Sequence, residues 1–180
     1  MIGGPVTRVL LVGMMGAGKS TVGRIVAGRL GWDYLDSDDE IVRSTGSSVP
    51  EIFAARGEAA FRAEEARVLA EATGSAGPAV VSVAGGAVLD PANRRRIGAA
   101  GLVVWLRAGP AVLSERVGDG SGRPLLGAQP HEALERLYDA RRPLYEALAE
   151  VTLDVDGLTP DEVAEAVLAA VEGRGSPVGA

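Results

Sequence analysis

Arg8-Val9-Leu10-Leu11-Val12-Gly13-Met14-Met15-Gly16-Ala17-Gly18-Lys19-Ser20-Thr21 sets a short apolar run against a glycine-rich turn that ends in a lysine. Arg8–Val12 has the length and β-branched content of a buried strand, and Lys19–Leu30 carries helical period. Between them Gly13–Ser20 matches G-x-x-x-x-G-K-[ST] in full, in the strand, loop and helix setting that gives the pattern its meaning. Such a loop turns successive backbone N–H groups, here those of Gly16, Ala17 and Gly18, onto phosphate oxygens, and the following helix directs its positive end to the same point. Lys19 is then expected at the β- and γ-phosphates of a nucleotide, Ser20 at its magnesium ion, and Thr21 beside them. The loop alone leaves kinase, GTPase switch and mechanical ATPase open, since one fold hosts all three.

Outward from the loop, Asp33–Asp36, Ala79–Val83, Leu102–Leu106 and Val151–Val155 repeat the strand signal, which makes five strands with Arg8–Val12. Helical period covers Asp38–Ser44, Pro50–Arg56, Glu58–Ala72, Pro91–Ala99, Ala111–Arg116, Pro130–Ala149 and Pro160–Val171 as well as Lys19–Leu30. Asp90-Pro91 and the capping box Thr159-Pro160-Asp161-Glu162 mark the clearest helix starts. Alternation of this kind predicts an α/β fold of three layers: a five-stranded parallel sheet, helices on both faces, and a ligand crevice at the carboxyl ends of the strands. The glycine-rich connection Val117–Gln129 is expected to be a mobile lid. Residues 1–172 are expected to form one domain, with Gly173–Ala180 a disordered tail.

Composition narrows the chemistry. With 47% hydrophobic residues but only two Trp, three Tyr and two Phe in 180, the core must be built from Val, Leu, Ile and Ala. Eighteen basic against twenty-four acidic side chains leave a net charge of −6, which disfavours nucleic acid and anionic membranes as partners. The absence of Cys excludes disulfides and thiolate chemistry and fits a cytoplasmic setting. The apolar run Val9–Val12 is far too short to span a bilayer, and a monomer is expected.

The substrate side is read from four segments. Asp36-Ser37-Asp38-Asp39-Glu40 ends the second strand and brings carboxylates to the crevice; Asp38 is the candidate base for an acceptor hydroxyl, and Asp36 the candidate for the magnesium shell, through water. Taken alone, the same cluster also reads as helix capping. Arg62, behind Phe61, is placed for bidentate capture of a carboxylate, or else for an exposed pair with Glu58 or Glu65. Val80–Val83 runs into Ala84-Gly85-Gly86-Ala87, where Ser82 stands in the place of a magnesium-binding acid and the two glycines would seat a small ligand on backbone. Trp32 and Trp105 are expected to pack, His131 to have no partner motif for metal or nucleophilic work, and Arg94-Arg95-Arg96 to form a solvated face.

Together with Arg123-Pro124-Leu125-Leu126 and Arg141-Arg142-Pro143-Leu144-Tyr145, these segments, in this order over about residues 8–171, resemble shikimate kinase. The resemblance implies transfer of the γ-phosphoryl of ATP to the 3-hydroxyl of shikimate, on the route to chorismate and the aromatic amino acids, with Mg2+ as cofactor. It implies that Asp38 binds the ring hydroxyls and acts as base, that Arg62 and Arg141 hold the substrate carboxylate, and that Gly85 and Gly86 bound the substrate. Arg123 would close on the transferring phosphoryl with the lid, and Arg116 would stack on adenine, opposite Pro160. Two departures stand out: Ala84 where the family has a first glycine, and Asp156-Gly157-Leu158 where many members have a basic residue near the base. Rival readings are a kinase for gluconate or a nucleoside monophosphate, and a nucleotide-dependent switch with no turnover.

Overall fold

The computed structural model describes residues 5–175. The expected strands and helices are present. In order they are β1 (Arg8–Val12), α1 (Lys19–Leu30), β2 (Asp33–Asp36), α2 (Ser37–Thr45), α3 (Val49–Gly74), β3 (Ala79–Ser82), α4 (Pro91–Ala100), β4 (Leu102–Arg107), α5 (Pro110–Val117), α6 (Pro130–Leu148), β5 (Val151–Asp154) and α7 (Pro160–Gly175). The two helices expected on either side of Gly57 are joined as α3, with a break at Gly57, whose φ of 79° interrupts the helical backbone. Helix α7 runs to Gly175, so the first residues expected in the tail are helical; 176–180 lie outside the described residues.

All strand pairs are parallel, in the order β2-β3-β1-β4-β5. The three central strands are buried almost throughout, while β2 and β5 at the edges are partly exposed. This is the pattern of a sheet covered on both faces. The connection from β1 to β2 runs one way along the sheet, and those from β2 to β3, β3 to β4 and β4 to β5 run the other. Right-handed crossovers therefore put α1 on one face and α3, α4 and α6 on the other; α7 packs beside α1. The chain thus changes face between the neighbouring strands β1 and β3, which opens the crevice at their carboxyl ends.

Helix starts follow the local chemistry. Asp90 caps α4, its Oδ1 accepting from the Ala92 N–H at 2.7 Å, and the Thr159/Glu162 box is formed before α7. A second box, Ser48/Glu51, opens α3. Arg94 departs from the expected solvated face: its Nη1 donates to Val88 O and Leu89 O at 2.6 and 3.1 Å and caps the turn after β3. Trp105 is buried and stacked on Tyr145 at 5.7 Å, and Trp32 packs partly buried against the same core.

Arg8, at the start of β1, is buried and donates to the carbonyls of Thr73, Ser75 and Gly77 at 2.7, 2.5 and 3.3 Å, closing the end of α3. Arg8→Ala would strand these carbonyls, a loss of about 2–3 kcal/mol, and thermal melting should show a midpoint roughly 5–10 °C lower.

Candidate active site

The phosphate loop takes the expected form. Gly16 and Gly18 have φ of 81° and 95°, a region open to glycine at little cost. Helix α1 starts at Lys19 without a side-chain cap or an acidic residue in its first turn, so its first N–H groups and its positive end remain available to an anion. Lys19 Nζ donates to the loop carbonyls of Gly13 and Met14 at 2.8 and 3.0 Å. Burial lowers its pKa to about 8, against the pull of Asp38 and Asp36.

Around the loop lies a cavity of about 440 Å3 whose walls include Lys19, Asp36, Asp38, Arg62, Arg123 and Arg141. Ser20, Thr21, Gly85 and Gly86 also reach it. Residues up to 122 positions apart in sequence, from Lys19 to Arg141, therefore converge as expected. Arg116, by contrast, leans over the loop from α5, its Nη1 donating to Gly16 O at 3.2 Å.

Asp36 fills the capping role open to it from sequence and also meets Ser20. Its Oδ1 caps α2 by accepting from the Asp38 N–H at 3.1 Å, and its Oδ2 accepts from Ser20 Oγ at 2.5 Å. Capping α2 holds Asp38 at the helix's first turn, open to the cavity. The surrounding protein raises its pKa above the usual carboxylate range, and the negative charge of Asp36 adds to this.

Arg62 also makes both contacts read from sequence, with a difference in setting. It pairs with Glu65 at 2.8 Å and with Glu58 at 3.2 Å, yet Glu65 is 1% exposed, so this is a buried pair and not an exposed one. Phe61 anchors the segment in a small cluster with Ile41, Ile52 and Val68, and the Arg62 guanidinium lies over its ring at 5.3 Å. The guanidinium rests directly on Gly86, where any Cβ would collide with it. Arg141 is 2% exposed; burial lowers its pKa, its Nε has no hydrogen-bond partner, and it makes no ion pair among the described residues. A Cβ on Gly85 would meet Arg141 Nη1 at 3.4 Å. Two guanidinium groups thus flank consecutive glycines, and one of them has no carboxylate in contact.

Sequence reasoning did not foresee several supporting contacts. Ser37 Oγ accepts from the buried Ala84 N–H at 2.8 Å and ties the end of β2 to the turn after β3. Tyr145 donates to Gly85 O at 2.7 Å, and burial pushes its pKa up to about 12. Asp156 accepts from the Gly109 N–H with both oxygens, at 3.1 and 3.0 Å. His131 contacts Ser114 across the bases of α6 and α5. Ala84 takes the place of the family's first glycine without backbone strain, because no non-glycine residue described has positive φ. The lid connection follows α5 at Gly118 and is pinned by Leu126, which is 2% exposed.

The shikimate kinase family model matches residues 15–172. A shikimate kinase of Halorhodospira halophila is 46% identical over 171 residues, covering 94% of this chain and 96% of that protein. Among solved structures, a shikimate kinase from Acinetobacter baumannii in complex with shikimate superposes with a TM-score of 0.90 at 37% identity, over 93% of this chain and 94% of that one. The Aquifex aeolicus shikimate kinase gives 0.82 at 32% identity, over 94% and 99%. With likeness of sequence and of fold running from the phosphate loop into the last helix, this chain belongs to the shikimate kinase family.

Proposed function

We propose that the chain phosphorylates shikimate at its 3-hydroxyl with Mg-ATP, giving shikimate 3-phosphate and ADP, through the residues that line the cavity. The observation that carries this reading is the pair of guanidinium groups on the Gly85–Gly86 turn, Arg141 without an ion pair among the described residues. Such a pair suits a ligand carboxylate by charge and by fork geometry.

With the carboxylate held there, the ring hydroxyls fall to Asp38. The 3-oxygen forms its bond to the γ-phosphorus, the bond from that phosphorus to the β–γ bridging oxygen breaks, ADP leaves with the electron pair, and Asp38 takes the hydroxyl proton. Lys19 and the N–H groups of Gly16, Ala17 and Gly18 hold the phosphates, with Ser20 and Thr21 next to them; Arg123 closes on the γ-phosphoryl from the lid. Arg116 stacks on adenine, with Pro160 opposite.

Magnesium bound with ATP neutralises charge on the β- and γ-phosphate oxygens. Ser20 Oγ and Asp36 Oδ2, 2.5 Å apart, are hard oxygen donors at the loop, with Asp36 acting through water. No cluster of three or more acidic, His or Cys ligands occurs among the described residues, which fits an ion held largely by water and phosphate. The enzyme is proposed to act as a monomer in the cytoplasm, without nucleic acid or membrane as partner; no helix among the described residues is long and apolar enough to cross a membrane.

A coupled ADP-release assay with Mg-ATP tests the acceptor. Turnover is expected with shikimate and not with gluconate, a nucleoside monophosphate or no acceptor; preference for another acceptor sinks the reading. In the same assay Arg141→Ala should raise the shikimate KM roughly 10- to 100-fold, the worth of one charge-assisted contact. The ATP KM should stay within about twofold of the parent enzyme's if Arg141 makes only acceptor contacts.

A further inference from the structure

Tyr34 lies on edge strand β2, and its hydroxyl sits 3.1 Å from Asp36 Oδ2 and 3.0 Å from Ser82 Oγ. Ser82 Oγ donates its own proton to Lys19 O at 3.0 Å, so it offers Tyr34 only lone pairs. One phenol proton then has two acceptors, and the carboxylate is the stronger. Asp36 Oδ2 consequently receives two donors: Ser20 from the phosphate loop and Tyr34 from the sheet.

The ring that delivers this hydroxyl has a built seat. A Cβ on Gly23 would lie 2.6 Å from Tyr34 Cε2, so the ring fits against α1 only because residue 23 has no side chain. The Arg24 guanidinium, from the next residue of α1, lies 5.2 Å from the ring centroid. The hydroxyl also links neighbouring segments beside the phosphate loop: Asp36 on β2, Ser82 on β3, and, through Ser82, the backbone of Lys19.

We propose that Tyr34 is a positioning residue for the magnesium site: its hydroxyl holds the Asp36 carboxylate in the orientation from which it serves the metal shell beside Ser20. The proposal rests on the reading of Ser20 and Asp36 given above. Ser20 stands in the first turn of α1 beside the phosphate loop and its hydroxyl can turn; the Tyr34 ring is seated against α1 at Gly23. It is thus the donor that keeps Asp36 oriented when the Ser20 oxygen turns to the ion. Groups in this position, one step behind a metal's ligands, tune metal affinity about 10- to 100-fold.

Tyr34→Phe removes the hydroxyl and leaves the ring on its seat. Manganese(II) binding to the full-length chain with ADP, read from the free-ion EPR signal, should weaken about tenfold, while ADP affinity measured without metal stays at the parent value. Unchanged manganese affinity would overturn the proposal. So would an equal loss of metal-free ADP affinity, which would mark Tyr34 as merely structural. Ser20→Ala in the same titration separates the two layers: it should weaken manganese binding as well, and if it does not, the Ser20–Asp36 metal reading falls and the Tyr34 proposal with it.

Discussion

Asp38→Asn is expected to lower turnover by about 10²- to 10⁴-fold, the usual worth of a positioned proton acceptor, while ATP affinity stays within about twofold. The asymmetry follows from where the side chain stands. Its backbone N–H is tied to Asp36 Oδ1, and Asn keeps that bond, so the helix start and the metal side are undisturbed. What Asn removes is the capacity to accept a proton. The pH dependence should change with it. The surrounding protein and the charge of Asp36 raise the Asp38 pKa in the ligand-free chain, so the acid limb of kcat/KM in the parent enzyme should lie above the usual carboxylate range and disappear in the variant.

Stability runs the other way. A carboxyl whose pKa is raised by folding binds its proton more tightly in the native state. It therefore costs stability as pH rises from the ordinary value through the raised one, and that cost persists above it. Asp38→Asn removes the cost, so its melting temperature at neutral pH should equal or exceed the parent's. Steady-state kinetics and melting across pH check both halves. Equal losses of ATP affinity and turnover would mean that Asp38 is structural.

Arg123→Ala should lower kcat by about 10³-fold or more, the range for an arginine that meets charge on a transferring phosphoryl group. Its position explains the size. The Arg123 side chain lines the cavity from an exposed stretch of the connection after α5, and its charge is felt at both Lys19 and Asp38, the groups proposed to hold the phosphates and to take the proton. The connection is held by its own backbone and by Leu126. Arg123 N–H bonds to Gly120 O at 3.0 Å, Leu126 N–H bonds to Arg123 O at 3.0 Å, and the Leu126 side chain is buried. Removing the Arg123 side chain leaves these ties in place, so the melting temperature should be unchanged. Arg123→Lys should recover only part of the rate, since it restores the charge but not the planar fork. A raised ATP KM with unchanged kcat would show that Arg123 binds ground and transition states alike and has no special part in the transfer.

Much of this protein was legible in its sequence for a common reason. The strands, the helices and the phosphate loop are written in local spacing: apolar runs, capping residues, Pro at helix starts, and glycines at set intervals. The same holds for the identity of the cavity residues. Asp38, Arg62 and Arg123 each follow a short pattern, and the structure brings them to one cavity. The errors were of setting. Glu65 sits on a polar helix and reads as exposed, but packing of α3 against the core buries it; Arg94 reads as solvated, but it turns onto the carbonyls of Val88 and Leu89.

The sheet order β2-β3-β1 lies beyond any local pattern, because it depends on which strands the chain skips. That order puts Tyr34 against Ser82, Ser37 against Ala84 and, through α6, Tyr145 against Gly85, pairs 48, 47 and 60 positions apart. Which charged and polar groups are available to line the cavity was set by residue type and short-range spacing. How those groups are oriented, which charges are buried and which arginine keeps an open valence were decided by tertiary packing, since orientation and burial arise only when distant segments exclude water from one another.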